Sequence, residues 1–390
     1  MNISVVRGAF LNPFECQLYA PLTRTHNLTL VGADWQFYRH PTIYPSTQVM
    51  HANLWGAGLS KLYRTAPVHA NRLMSWSTGR SFGFYDLERC TEGADILHSA
   101  ETFFTMTHQC VALKRMRRCP LVVTVSENLP HMGELHPVRR HRKKDAIQAA
   151  DQFIAITETS RRTLIIDGVP EEKITVIPWS LDLGRFRPAP KDPELLARLQ
   201  IQADDCVVLF IGRLVVEKGI RDILHCAPQV AARAKNNRLR FLFVGEGPLK
   251  ADILAAQRLY PDLIRLHSFV PYDQLPAFHN LADLFLLPSR TGRKIAEQFG
   301  FVLIESMACG KPIITTPIGS IRDVVGDAAL LTALDDPKAL TDAILQLVES
   351  PSERASLSSK ALTRAAKHFD AEVNARYLES IYQSLQRQAR

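Results

Sequence analysis

The chain has 390 residues, with Lys+Arg 47 against Asp+Glu 39, a formal net charge of +8, 46% apolar residues and 22% charged ones. That apolar share excludes disorder as the main state, and the length suggests two domains rather than one. No window approaches the ~18 uninterrupted apolar residues of a membrane span.

The opening Met-Asn-Ile-Ser-Val-Val-Arg places Arg7 directly after a short apolar run. This reads as a first strand, not as a signal peptide. Seven scattered cysteines without a Cys-x-x-Cys pair read as reduced, mostly packed thiols of a cytosolic protein.

Candidate strands in the first half are Ile3–Val6, Leu28–Val31, Asp95–His98, Leu121–Val125, Gln152–Ile156 and Ile174–Ile177. Helix-length segments lie around 102–116, 137–150 and 158–167. Several strands are apolar throughout, as parallel strands covered on both faces are. Arg187-Pro188-Ala189-Pro190-Lys191-Asp192-Pro193 then reads as a linker. The pattern restarts with strand Val207–Ile211, a helix over 217–234, strand Arg240–Val244 and a helix from 249. Strands Leu263–Leu266, Leu284–Leu287 and Pro312–Thr315 follow. From Pro337 onward the chain reads as helices, the last of them an amphipathic 371–388. The fold class is α/β: two doubly wound Rossmann-like domains facing a central cleft. The expected division is 1–186, 187–370, and a terminal helix 371–390 packing back on the first domain.

Charge is concentrated. Residues 110–150 hold nine Lys/Arg against three acids, a local +6 of the total +8. Lys114–Arg118 closes one predicted helix, where cations satisfy the dipole. Arg139, Arg140, Arg142, Lys143 and Lys144 lie near a helix start, where that reading fails. The cluster suggests an anionic partner, phospholipid, nucleic acid or a phosphorylated substrate, or else a plain solvated face; no nucleic-acid motif accompanies it. The expected location is cytoplasmic, peripheral on the membrane face. His131-Met132-Gly133-Glu134-Leu135-His136 matches no zinc pattern and is read as a polar loop.

Three turns in the second half follow strand ends. Gly212-Arg213-Leu214-Val215-Val216-Glu217-Lys218-Gly219 sets two cations on a strand-to-helix turn, a cradle for a diphosphate or merely a solvated loop. Val244-Gly245-Glu246-Gly247-Pro248 fails as a dinucleotide fingerprint and reads as a tight turn. Glu297-Gln298-Phe299-Gly300-Phe301-Val302 opens an apolar helix that carries Glu305 and is closed by Gly310 and Pro312. A carboxylate inside that run is costly unless hydrogen-bonded.

Gly-Arg-Leu-x3-Lys-Gly, Val-Gly-Glu-Gly-Pro and acid-x7-acid, in this order along the chain, resemble the retaining glycosyltransferases of family 4, which have the GT-B fold. The run ending Val176-Ile177-Pro178-Trp179-Ser180-Leu181-Asp182, Leu287-Pro288-Ser289 and Thr316-Pro317-Ile318-Gly319-Ser320 fit as well. The likeness covers most of 150–370. It implies a nucleotide-sugar donor and a glycan or lipid-linked acceptor, and it favours an anionic membrane surface as the partner of Arg139, Arg140, Arg142, Lys143 and Lys144. Arg213 and Lys218 would neutralise the diphosphate and Glu305 would bind the ribose. Glu297 would contact the donor sugar, with Phe299, Gly300, Phe301 and Val302 at the helix start facing phosphate and sugar. Gly212, Gly245, Glu246, Val270 and Gly8 complete the implied donor contacts. Residues 245–250, 269–273 and 291–301 would set donor choice. In the first half the family's glycine-rich loop is reduced to one glycine. Its strand-end histidine is replaced by Ser126-Glu127-Asn128. His98, Glu101, Ser126 and Glu127 are the acceptor-side candidates. No Asp-x-Asp triplet occurs, so no cofactor and no metal are expected. The rival readings are a GT-B phosphorylase, a nucleotide-sugar epimerase and a non-catalytic sugar-binding protein.

Overall fold

The computed structural model describes residues 1–33, 48–52 as backbone, 83, 84, 86–235, 238–290 and 297–389. Two compact units emerge: Met1–Ser180 with Ala371–Arg390, and Leu181–Asp370.

Unit 1 is built on a seven-stranded parallel sheet. Its strands are β1 (Asn2–Gly8), β2 (Asn27–Ala33), β3 (Gln48–Ala52), β4 (Ile96–Ala100), β5 (Leu121–Val125), β6 (Gln152–Ala155) and β7 (Ile174–Val176), in the order β3-β2-β1-β4-β5-β6-β7. β4 and β5 are buried along their whole length, which explains their unbroken apolar sequence. Helices Thr105–Arg117, Pro137–Ala149 and Glu158–Ile166 connect them. The last is capped by Thr157, whose hydroxyl accepts from Ser160 N–H at 3.0 Å.

Unit 2 has a six-stranded sheet in the order β10-β9-β8-β11-β12-β13. The strands are β8 (Cys206–Ile211), β9 (Leu239–Val244), β10 (Ile264–His267), β11 (Leu284–Leu287), β12 (Ile313–Thr315) and β13 (Ala329–Leu331). β3, β13 and helix Leu275–Leu281 have no counterpart in the sequence reading. The helix expected over 217–234 begins later, at Ile220, because Gly219 takes φ +71.

The proline-rich stretch 187–193 is not a free linker. Asn280 holds its first residues, accepting from Ala189 N–H at 3.1 Å and donating to Arg187 O at 3.0 Å. Lys191 pairs with Asp283 at 2.7 Å. Phe186 is buried against Tyr272, ring centroids 5.4 Å apart. The chain therefore joins unit 2 at Leu181, whose N–H donates to Phe369 O at 2.8 Å.

The terminal helix Ala371–Ala389 buries Ala371, Ala375, Leu378, Tyr382 and Leu385. That four-three spacing forms one stripe. It lies on unit 1 through Arg24–Glu372 (2.7 Å), His26–Glu379 (2.8 Å) and Tyr382–His98.

Candidate functional site

Open parallel sheets bind ligands beyond the carboxyl edge, where the strand order reverses. In unit 2 that reversal falls between β8 and β11. The loops after β8 and β9 are joined backbone to backbone. Gly212 N–H donates to Val244 O (3.0 Å), Leu214 N–H to Glu246 O (2.9 Å) and Leu249 N–H to Leu214 O (3.0 Å). A Cβ on Gly245 would lie 2.0 Å from the Gly212 carbonyl oxygen. Loop-to-loop packing thus accounts for Gly245. A Cβ on Gly219 would meet the Pro288 carbonyl oxygen at 2.1 Å, so the segment carrying Lys218 is pressed against the end of β11.

This packing brings Lys218 to Glu297, 79 positions away, and the two form an ion pair, each 16% exposed. Ser289, just beyond β11, donates its hydroxyl to Glu297 Oε2 at 3.2 Å. Arg213 is exposed, and no carboxylate among the described residues pairs with its guanidinium. A held ammonium and an open guanidinium thus lie in the loop that follows the central strand.

The two acids of the acid-x7-acid pair diverge. Glu305 is buried in helix Phe301–Ala308 and faces His279 Nε2 at 3.2 Å, while His279 Nδ1 meets Ser306 Oγ at 2.9 Å. The burial cost noted for Glu305 is met by this contact. Gly300, at φ +79, begins the helix, and a Cβ there would lie 2.9 Å from Leu303 Cδ1. Phe299 is buried against Phe301 and Phe369, with centroids at 5.4 and 6.0 Å; Phe301 and Val302 are half-buried in the first turn. Val270 is buried, whereas Phe269 beside it presents its ring to solvent. Glu246 is exposed, and the Lys250 ammonium at 2.9 Å holds its carboxyl below the usual range. Of the stretch 291–301, residues 291–296 lie outside the described residues. His279 and Ser289 were missed as site residues because no spacing ties either to the acids it contacts.

In unit 1 the reversal falls between β1 and β4. Gly8 ends β1 at φ +58, and a Cβ there would meet the Phe84 ring at 3.0 Å. Arg7 pairs with Glu15 and lies 5.1 Å from the Trp179 ring centroid. Glu101 directly follows β4 and takes φ +58, a costly left-handed backbone for a non-glycine residue. Ser126 donates its N–H (3.0 Å) and its hydroxyl to Glu101 Oε1. Glu127 is 3% exposed. Burial raises both carboxyls above their ordinary range. The charge of Glu101 pushes Glu127 further up, against Lys143 and the Thr102 hydroxyl.

His98 does not join this edge. It is fully buried, with Nδ1 on the Tyr382 hydroxyl and Nε2 on Thr124 Oγ1 at 2.7 Å. Burial drives its pKa down to about 3, helped by the charge of Arg7. It secures the terminal helix and presents no free ring nitrogen to an acceptor.

The basic cluster is also corrected. Arg142 is buried and donates to Thr105 Oγ1 at 3.0 Å. Lys143 is buried between Asp167 (2.7 Å) and Glu134 (3.2 Å). Arg139 is half-buried over Phe103, 5.7 Å from its ring centroid. Only Arg140 and Lys144 of the five are exposed. A helix turns some of its residues inward whatever their charge, and a local charge count cannot show which. His131, Glu134 and Asp167 could each offer one metal ligand within 4.8 Å of the others. Lys143 already supplies the positive charge there.

The family model described as Glycosyltransferase Family 4 matches residues 51–185, and that of Glycosyl transferases group 1 matches 191–364. A D-inositol 3-phosphate glycosyltransferase of Thermobispora bispora is 31% identical over 257 residues, covering 63% of this chain and 59% of the relative. A 2-deoxystreptamine glucosyltransferase of Streptomyces kanamyceticus is 28% identical over 223 residues, covering 55% and 56%. The chain thus spans less than two thirds of the length of these relatives. Anabaena HepE in complex with UDP and glucose shares the fold at a TM-score of 0.74 and 19% identity, covering 98% of this chain and 100% of that one.

Proposed function

The chain belongs to glycosyltransferase family 4 and has the two Rossmann-like units of the GT-B fold, and we propose from this that it moves a hexosyl group from a nucleoside-diphosphate sugar to an acceptor hydroxyl. The bond from the anomeric carbon to the diphosphate oxygen breaks, and a bond from the same carbon to the acceptor oxygen forms. The acceptor's proton passes to the departing diphosphate. Retention of anomeric configuration is proposed from the family, with the acceptor attacking from the side the leaving group vacates.

The observation that carries this reading is the ion pair of Lys218 with Glu297, with the exposed Arg213 in the same loop as the lysine. Negative charge grows on the diphosphate as it departs, and fixed cations stabilise that charge more than they stabilise the intact donor. Arg213 can grip two phosphate oxygens, whereas Lys218 acts as a point charge. Glu297 restrains the lysine and offers a carboxylate to the sugar. With this charge supplied by the protein, the proposed transfer needs no divalent ion. The HepE complex makes a UDP-sugar the first donor to test.

The acceptor is proposed to be a glycan or lipid-linked sugar that meets the β4–β5 edge of unit 1. Peripheral contact with an anionic membrane would rest on Arg140, Lys144 and the fully exposed Leu135.

Incubation with UDP-glucose and a mixed acceptor pool, followed by anomeric-proton NMR, tests the reading. UDP release with a retained linkage supports it. An inverted product overturns retention. Phosphate-dependent release of a sugar 1-phosphate favours a phosphorylase, and conversion of the donor to its isomer favours an epimerase. Binding without turnover leaves a sugar-binding protein.

A further inference from the structure

We propose that the β4–β5 edge of unit 1 selects an acceptor carrying a protonated amine over one carrying a phosphate, with Glu127 as the specificity-determining residue. The inference rests on the glycosyl-transfer reading and narrows its acceptor.

Among the described residues, three buried carboxylate oxygens at this edge lack a hydrogen-bond partner of good geometry: Glu101 Oε2, Glu127 Oε1 and Glu127 Oε2; only the Thr102 hydroxyl and the Glu127 N–H act on these carboxyls as weak neighbouring donors. Buried polar groups in folded proteins nearly always have partners, so oxygens left bare at a ligand edge await a donor. Both residues are placed there by the sheet. β4 and β5 run in register, Ala100 beside Thr124, so Glu101 and the Ser126-Glu127 step leave the two strands side by side. Glu101 adopts its left-handed backbone and is tied by Ser126 through one oxygen, while the other has no partner of good geometry among the described residues.

The nearby cations are committed elsewhere. Arg7 is paired with Glu15, and Lys143 with Asp167 and Glu134. Neither reaches the bare oxygens with a hydrogen bond. An ammonium group is donor-only, with three N–H bonds to give, and suits a pair of carboxyls short of good donors. A neutral hydroxyl gives one. A phosphate presents acceptors and adds negative charge beside two acids, which is the repulsive half of the selection. The upward shift of both carboxyls supports the reading. The pair holds a proton more firmly than ordinary carboxyls do, and an incoming ammonium displaces it.

Three probes on one ring separate the charge classes: D-glucosamine, D-glucose and D-glucose 6-phosphate. Each is titrated calorimetrically into the full chain at neutral pH, with and without UDP, in two buffers of different ionisation enthalpy. Glucosamine is expected to bind at least tenfold tighter than glucose and to release protons. Glucose 6-phosphate is expected to bind weakest. In Glu127→Gln the glucosamine preference should collapse to less than threefold, with the thermal transition as the control for folding. If that variant does not fold, Glu101→Gln is read for the same loss. Equal binding of all three probes, tightest binding of the phosphate, or a preference that survives both substitutions would overturn the proposal. Absence of UDP binding would count against the glycosyl-transfer reading alone, because the probe series is also read without UDP.

Discussion

Lys218 and Glu297 stand 79 positions apart in sequence and meet in one ion pair, with the Ser289 hydroxyl 3.2 Å from the same carboxylate oxygen. The contact depends on Gly219, which lets the lysine's segment press against the end of β11. If this pair serves the departing diphosphate, Lys218→Ala should lower kcat by about 10²-fold and change KM far less. Steady-state kinetics with UDP-glucose check this split. An increase confined to KM would assign the lysine to ground-state binding.

Glu305→Gln should weaken nucleotide binding by about tenfold while the protein remains folded, since losing a charged hydrogen-bond partner costs ~1.5–3 kcal/mol. The glutamine carbonyl can still meet His279. Glu305→Ala removes that contact too and should also lower Tm. Calorimetric titration of UDP beside thermal unfolding separates the effects, and unchanged UDP affinity in the glutamine variant would remove Glu305 from the ribose.

Gly245→Ala should destabilise unit 2 by about 3 kcal/mol or more, because its Cβ would fall on the Gly212 carbonyl at a backbone φ of +146. Chemical denaturation measures it. A loss of activity with unchanged stability would instead give this glycine a ligand role.

Much of this was legible in the sequence. Runs such as Leu121–Val125 carry no polar residue but Thr124, and their placement at the centre of a parallel sheet follows. The strand-end turns at Gly212 and Gly245 were also visible as turns. What joins those turns to each other is backbone geometry, which leaves no residue pattern beyond the glycines. The direction of a charged side chain was least legible. Arg142 and Lys143 sit in a run of exposed-looking cations, and helical periodicity turns both inward. Likewise His98, at a strand end, is claimed by Tyr382, 284 positions away.

His98 gives the fold a pH dependence of definite sign. Its pKa is lowered from the ordinary 6.5 to about 3 by burial, then by Arg7; Tyr382 and Thr124 occupy its nitrogens and Tyr19 meets it edge-on. The unfolded chain takes up a proton below pH 6.5 that the folded chain refuses. Stability from this group is therefore complete above pH 6.5 and falls by up to about 1.4 kcal/mol per pH unit between 6.5 and 3. His98→Gln should flatten that limb in urea denaturation followed from pH 7 to pH 4. An unchanged slope would contradict the assignment.

Lys143→Met should lower Tm, because Asp167, with a side chain 1% exposed, loses its cation. Arg140→Ala with Lys144→Ala should leave Tm within a degree or two and reduce adsorption to anionic vesicles at low salt. Vesicle sedimentation and thermal melts together read both. Adsorption that persists in the double variant would move the membrane contact away from this helix.

The central claim is that fixed protein cations, in place of a metal, receive the charge of a departing nucleoside diphosphate. Single-turnover release of UDP from UDP-glucose in excess chelator, comparing the unmodified chain with the Arg213→Ala, Lys218→Ala double variant, tests it most directly. The account predicts undiminished release by the unmodified chain in chelator and a loss of at least about 10²-fold in the variant. Release abolished by chelator, or retained by the double variant, would contradict it.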